Sequence, residues 1–418
     1  MKKRQIIPVL FLAGLLLLAS CGSKDGNSDA VFSNLTSEQH KQSIEQSGTQ
    51  MVDQIDGMKN LSAVQLLIDF ANLTDNVGMQ AAPAVRSFVL PFSQIGESPT
   101  KMLAFSPMVI SKKTLVDLFN DYTGVYTYNK NLLKWEKTAN SSEVTYIFPS
   151  NNSSANNASV TLSNFSSSTS PRIINLGDYN GVLINSLTMV VKSGANEVVR
   201  YTMTGAYNSD GLPSKLNESL SFKEGYVFTT SFVDNGTTVS FDESLTSPTA
   251  NIFSCHFDSN GDFGYNNIDY NWSSSSDNAI SNVINSGNVW MAVGNIKVGG
   301  QVDLKSIFAE KPTTIDDTKK MDVDNEVAIL NKYTKIYAKY QDKNEIIAQS
   351  VFYTVPDTYS YWNYSTQKYV TTTTYYSEIK FVFKDGSSMD ESFFNSGFDT
   401  FTNRLSDFST AVQNSYQR

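Results

Sequence analysis

Val199-Arg200-Tyr201-Thr202-Met203-Thr204 alternates an apolar with a polar side chain at every step. Successive side chains of a β-strand point to opposite faces, so Val199, Tyr201 and Met203 share one face and Arg200, Thr202 and Thr204 the other. Such a strand is covered on one side only. It belongs to an antiparallel sheet, because strands of a parallel α/β sheet are buried on both faces and read as unbroken apolar runs.

The same period extends outward in both directions. Tyr226, Phe228 and Phe232 repeat it downstream, and Val144, Tyr146 and Phe148 alternate with Thr145 and Ile147 upstream. Asn129-Lys130-Asn131 separates Val125–Tyr128 from Leu132–Trp135 as a hairpin. Ser193-Gly194, Asp210-Gly211, Asn235-Gly236 and Asn260-Gly261 supply residues that tolerate positive φ where the chain must reverse. The Ser- and Asn-rich insert Asn151 to Ser170 still alternates at Ala158, Val160 and Leu162, which predicts a strand between loose loops. About a dozen strands between Thr123 and residue 306 make one large sheet.

Helical periods flank this region. Ile44, Met51, Ile55 and Met58, then Leu66, Leu67, Phe70 and Leu73, recur at three- and four-residue steps with a break near Gly57 to Ser62. They predict two helices, the first capped by Thr36 or Ser37. The proline-punctuated stretch 74–111 reads as loop with room for one short helix, and a further short helix over about 112–121 leads into the sheet. Downstream, Val327, Leu330, Tyr333, Ile336, Tyr337 and Tyr340 predict a helix over 324–343. Ile379, Phe381 and Phe383 then predict a strand before the Asp385-Gly386 turn. The stripe Phe394, Phe398, Phe401, Leu405, Phe408 and Val412 predicts a final helix with one buried face.

The expected class is therefore α+β: a large curved antiparallel β-sheet, half-barrel or sandwich-like, with N-terminal and C-terminal helices packed on it. Its regions are a helical segment at 34–122, a β segment at 123–310 and a helix-strand-helix segment at 311–418.

The first residues carry a different message. Lys2, Lys3 and Arg4 precede an apolar run from Ile6 to Leu18, shorter than the about 20 residues that span a bilayer. Leu18-Ala19-Ser20-Cys21 resembles the lipobox of bacterial lipoproteins. That resemblance implies cleavage before Cys21, removal of 1–20, acylation of Cys21 and a flexible tether over 21–33. Each buried acyl methylene contributes roughly 0.8 kcal/mol, so the implied anchor holds without protein contacts to the bilayer. Gly22 stands where an aspartate would favour inner-membrane retention, which implies the outer membrane. The facing leaflet is left open.

Composition narrows the function classes. Apolar residues make up 40% and charged residues 17%, with 21 Tyr and 25 Phe, so the exposed surface must rely on Ser, Thr and Asn. A net charge of −9 is the wrong sign for a nucleic-acid footprint. The chain has two cysteines, and lipid on Cys21 would leave Cys255 without an intrachain partner.

Signals for chemistry are sparse. Cys255 and His256 are strand neighbours pointing to opposite faces, which denies them a nucleophile-base role, and no His-containing zinc motif is present. Asp258, Asn260, Asp262 and Asp269 follow the spacing of a calcium loop, but Phe263 replaces its glycine and Asp269 its bidentate glutamate. A turn at Asn260-Gly261 is the stronger reading there, and no cofactor is expected. Tyr359, Tyr361, Trp362 and Tyr364, followed by Tyr369, Tyr375 and Tyr376, suit stacking on sugar rings, as they also suit a half-buried sheet.

Three function classes remain. In element order, a helix followed by a long antiparallel sheet is similar to the lipoprotein-carrier half-barrel families, which implies an apolar ligand such as a lipid held in a concavity. No motif stands behind that likeness. A glycan- or protein-binding surface lipoprotein using the tyrosine-rich strands comes second. A glycosidase comes third, and would require two carboxylates about 5 to 9.5 Å apart in a cleft. The expectation is a non-enzymatic binding protein.

Overall fold

The computed structural model of the chain describes residues 31–58, 61–75, 112–169, 182–264, 266–267, 282–312 and 314–389. Among the described residues the order opens with helices α1 (Ser37–Met58), α2 (Ser62–Asp75) and α3 (Lys112–Asp121). Strands β1 (Gly124–Asn129), β2 (Lys134–Ala139), β3 (Val144–Phe148), β4 (Ala158–Thr169), β5 (Val182–Ser193) and β6 (Asn196–Tyr207) follow. Next come β7 (Pro213–Phe222), β8 (Val227–Asp234), β9 (Thr238–Thr246), β10 (Asn251–Gly261), β11 (Ile284–Val293) and β12 (Ile296–Val302). Helices α4 (Leu304–Glu310) and α5 (Lys320–Tyr333) precede β13 (Thr334–Tyr340), β14 (Ile346–Asn363), β15 (Lys368–Phe383) and β16 (Ser388–Met389).

All of these strands join one 16-stranded sheet in the order β16 to β3 without interruption, then β1, then β2. Its edges are β2 and β16, so the sheet stays open. Neighbours from β3 to β8 and from β11 to β16 pair antiparallel, as do β1 and β2, whereas β1 and β3 are parallel and make the sheet mixed. The class is α+β, as the alternation around Val199 predicts.

The described residues cluster into two compact units, one within Gly48–Asp234 and Phe241–Ser254, the other within Met1–Ser47, Asn235–Ser240 and Cys255–Thr400. In the first, α2 buries Ala63, Leu66, Leu67 and Phe70. The Phe70 ring lies 6.0, 5.5 and 5.2 Å from Trp135, Tyr146 and Phe148, edge-on or tilted, the arrangement aromatic quadrupoles favour. In the second, Ile296, Ile336, Ala338, Tyr340, Ile347, Phe381 and Phe383 form an apolar cluster against which Ile44 of α1 packs.

Helix α1 begins on a capping box. Thr36 Oγ1 accepts from the Gln39 backbone N–H at 3.3 Å, and Gln39 Oε1 accepts from the Thr36 N–H at 2.9 Å, satisfying two donors that an open helix end would orphan. One turn on, His40 is buried. Its Nδ1 lies 2.9 Å from Tyr340 Oη and its ring stacks on Phe383 at 5.7 Å.

Several expectations change. The tether expected over 21–33 is fastened by its last residues: Ser33 N–H donates to Ile346 O and Ile346 N–H to Val31 O, at 2.8 and 2.9 Å. The helix expected over 324–343 ends at Tyr333, because Thr334, Ile336, Ala338 and Tyr340 alternate as β13 within the sheet. Asn260-Gly261 is no hairpin turn. Both residues lie in β10, and a Cβ on Gly261 would stand 2.0 Å from Val283 O, so the glycine serves a close backbone approach. The helix expected over 394–412 falls outside the described residues, as do residues 76–111 of the stretch expected as loop and residues 1–30, which include Cys21.

Candidate functional site

Two places combine unusual chemistry with exposure or burial that sequence composition would not demand. The first is on the buried face of β7 and β9. Strand β7 alternates inward as Leu216, Glu218, Leu220 and Phe222, which sets one carboxylate in an apolar row. Register pairs Glu218 with Met203 of β6 on one side and with Thr230 of β8 on the other. Thr229 and Ser244 hydroxyls meet at 2.8 Å between β8 and β9, which places Glu243, one residue earlier on β9, on the side of the sheet that carries Thr230.

Glu218 and Glu243 are only 5% and 6% exposed. Burial raises the Glu218 carboxyl to about 7, although the Tyr201 hydroxyl, donating to the charged form, pulls the other way. Burial raises Glu243 further, to about 8, with the charge of Glu218 as second cause. Between them the Thr230 Oγ1 is buried without a hydrogen-bond partner. Two like charges cannot both ionise cheaply in such a place, so the pair retains protons near neutrality and titrates as a unit. The chemistry open to it is to hold a proton.

The second place is the β14–β15 hairpin. Near its base α5 grips β14: Asn331 Nδ2 donates to Phe352 O and Phe352 N–H donates to Asn331 Oδ1, both at 2.8 Å, and Thr354 Oγ1 donates to Asp324 at 2.7 Å. From Pro356 to Trp362 every residue is exposed, so the hairpin leaves the core as a bare ribbon. Register divides its aromatics. Tyr359 and Tyr361 share one face, ring centroids 6.3 Å apart, while Trp362 pairs with Tyr369 on the other at 5.1 Å, edge to face. On the Trp362 side, Thr358 with Thr373 and Ser360 with Thr371 form hydroxyl rungs at 2.9 and 2.7 Å. Tyr364 sits in the turn, 86% exposed.

The expected ligand-binding residues Tyr359, Tyr361, Trp362 and Tyr364 are thus all exposed on one ribbon but form two opposed aromatic pairs and a tip, not one platform. Of the calcium-spaced residues, Asp258, Asn260 and Asp262 are described. Asp258 Oδ2 lies 2.6 Å from His256 Nε2 along β10, Asn260 is in the same strand, and Asp262 Oδ1 accepts from the Gly264 N–H at 3.1 Å. Asp269 is outside the described residues. Among the described residues no cluster of three or more His, Cys, Asp or Glu could hold a metal ion.

Sequence reasoning passed over Glu218 and Glu243, although a glutamate at an inward step of Leu216-Glu218-Leu220-Phe222 was a usable signal.

Compared with known protein families, with curated proteins and with solved structures, the chain matches none. Among the described residues no helix is long and apolar enough to cross a membrane.

Proposed function

We propose that this chain is a lipid-anchored protein of the bacterial cell envelope that binds a neutral glycan through the β14–β15 hairpin and catalyses no reaction. The observation that carries the reading is the pair of exposed aromatic couples, Tyr359 with Tyr361 and Trp362 with Tyr369, on a ribbon that has left the core. A folded chain gains nothing by exposing such rings, each a large apolar surface, unless something covers them in use.

Sugar rings present flat C–H faces that stack on aromatic rings and hydroxyls that pair with Ser and Thr, and the ribbon carries both. Its exposed part holds only Asp357 and Lys368 as charged groups, which suits a neutral ligand. The lipobox-like Leu18-Ala19-Ser20-Cys21 supports attachment at Cys21, and Gly22 supports the outer membrane. An apolar molecule held against the sheet ranks second; around Phe70 the apolar face is covered by the chain's own rings.

The test is a panel of neutral polysaccharides run in affinity gels against the full chain in detergent. Binding should fall about tenfold or more in either Y359A/Y361A or W362A/Y369A, since stacking contributes on the order of 1 kcal/mol per ring. The reading fails if no glycan retards the protein, or if both double variants bind as the parent does.

A further inference from the structure

The two faces of the β14–β15 ribbon differ in more than their aromatic pairs. Residues paired across an antiparallel ribbon share a face, so the even-numbered positions from Pro356 to Trp362 lie with the odd-numbered ones from Tyr369 to Tyr375, and the remaining positions lie opposite. The Trp362 face carries no charged side chain over that stretch. Its two hydroxyl rungs continue down from the Trp362–Tyr369 pair at steps of about 6.6 Å. Each rung spends one O–H on the neighbouring hydroxyl and keeps the second O–H and its lone pairs for another partner. Asp357 and Lys368 both fall on the Tyr359 face, one on either side of Tyr359 and Tyr361.

The ring geometry differs as well. Tyr359 and Tyr361 follow one another along a single strand with planes 39° apart, which makes a strip. Trp362 and Tyr369 meet across the two strands with planes 70° apart, which makes a corner. A strip takes the flat faces of successive sugar units, whereas a corner takes one ring, flat on one wall and edge-on to the other. Side chains of the two faces point apart with the backbone layer between them, so a segment stacked on the tyrosines turns its back to solvent and away from Trp362.

Resting on the glycan reading above, we propose that the ribbon holds two neutral glycan segments at once, one on each face. On the Trp362 face one sugar ring sits in the aromatic corner and the units beyond it lay their hydroxyls along the Ser360–Thr371 and Thr358–Thr373 rungs. On the Tyr359 face a second segment stacks on the two tyrosines, between Asp357 and Lys368. The two faces share no side chain, so each keeps its own affinity when the other is removed. A polysaccharide offers many segments to both faces together, which raises its apparent affinity above that of a short oligosaccharide.

The experiment is isothermal titration calorimetry of the full chain, in a detergent without sugar headgroups, with maltohexaose, laminarihexaose and mannohexaose as probes. The parent should take up two molecules of at least one of these per chain, and Y359A/Y361A and W362A/Y369A should each take up one. Adding S360A/T371A to Y359A/Y361A should weaken the remaining site about threefold or more, the effect of losing a hydrogen bond. All of these side chains are exposed, so the melting transition should stay in place. A parent that binds none of the probes overturns the glycan reading and the two-face proposal together. A parent that binds a single molecule, or a double variant that keeps two sites or loses both, overturns the two-face proposal and leaves the glycan reading standing. Unchanged affinity on adding S360A/T371A overturns the role given to the rungs.

Discussion

Glu218 and Glu243 stand on one buried face of β7 and β9, where burial first and the charge of Glu218 second raise the Glu243 carboxyl. Neither has a basic partner among the causes acting on it, so both depend on protons from solvent to remain neutral in the folded chain.

Stability should therefore fall as pH rises. Values of about 7 and 8 stand above the 4.5 of an unperturbed glutamate, so the folded state binds protons that the unfolded chain has lost. The stabilisation is complete below the unfolded value and is lost as pH climbs through the folded ones, with on the order of 3 to 5 kcal/mol per carboxyl as an upper figure. Thermal melts between pH 5 and 9 should show a declining midpoint, and E218Q should flatten that decline. A midpoint that rises to pH 9 in the parent would contradict the burial argument.

His40 acts with the opposite sign. Burial lowers its ring below the ordinary 6.5 despite the raising influence of Asp385 and Glu345, so the neutral form is favoured in the fold. That contribution is present above the unfolded value and is lost as pH falls through the folded one. H40F removes the titration, and its melting midpoint relative to the parent should climb between pH 7 and pH 5. At pH 7, Y340F should cost about 1 kcal/mol through the hydrogen bond to His40 Nδ1.

Phe70 should be among the costliest single truncations in the first unit. Its fully buried ring touches three others, and Phe to Ala in such a site costs about 3–5 kcal/mol. Chemical denaturation of F70A, followed by the fluorescence of Trp135 beside it, should show an earlier midpoint and a red-shifted native spectrum.

Cys21→Ser tests the anchor alone. The variant should leave the membrane fraction and appear in the soluble envelope fraction with its melting transition unchanged. Full retention in the membrane would remove the lipid from the account.

What sequence reasoning could reach follows from how far each signal is local. The alternation at Val199, Tyr201 and Met203, the Thr36 cap and the break between α1 and α2 are decided by neighbours within one turn or one strand, and all are found in the structure. Ile336, Tyr337 and Tyr340 satisfied both a three-four and a two-residue period, and only pairing with β12 and β14 settles which applies. Gly261 and Gly299 matter because another backbone comes close, a fact with no trace in their own vicinity. The aromatic ribbon was visible as composition, but its division into two faces required the register. Glu218 and Glu243 were hidden by the assumption that charged side chains face water, which the inward steps of their own strands contradict.

The succession of β3 to β16 along both chain and sheet bears on how the protein is made. Each arriving strand finds its partner already laid down beside it, so most loop closures are short and add little entropic cost as the chain emerges amino end first. The contact between His40 and Tyr340 breaks that order, for it joins positions 300 residues apart. The opening turns of α1 must wait, unsupported, until β13 has been delivered, and their docking marks the late step by which the beginning of the chain learns that its end has arrived.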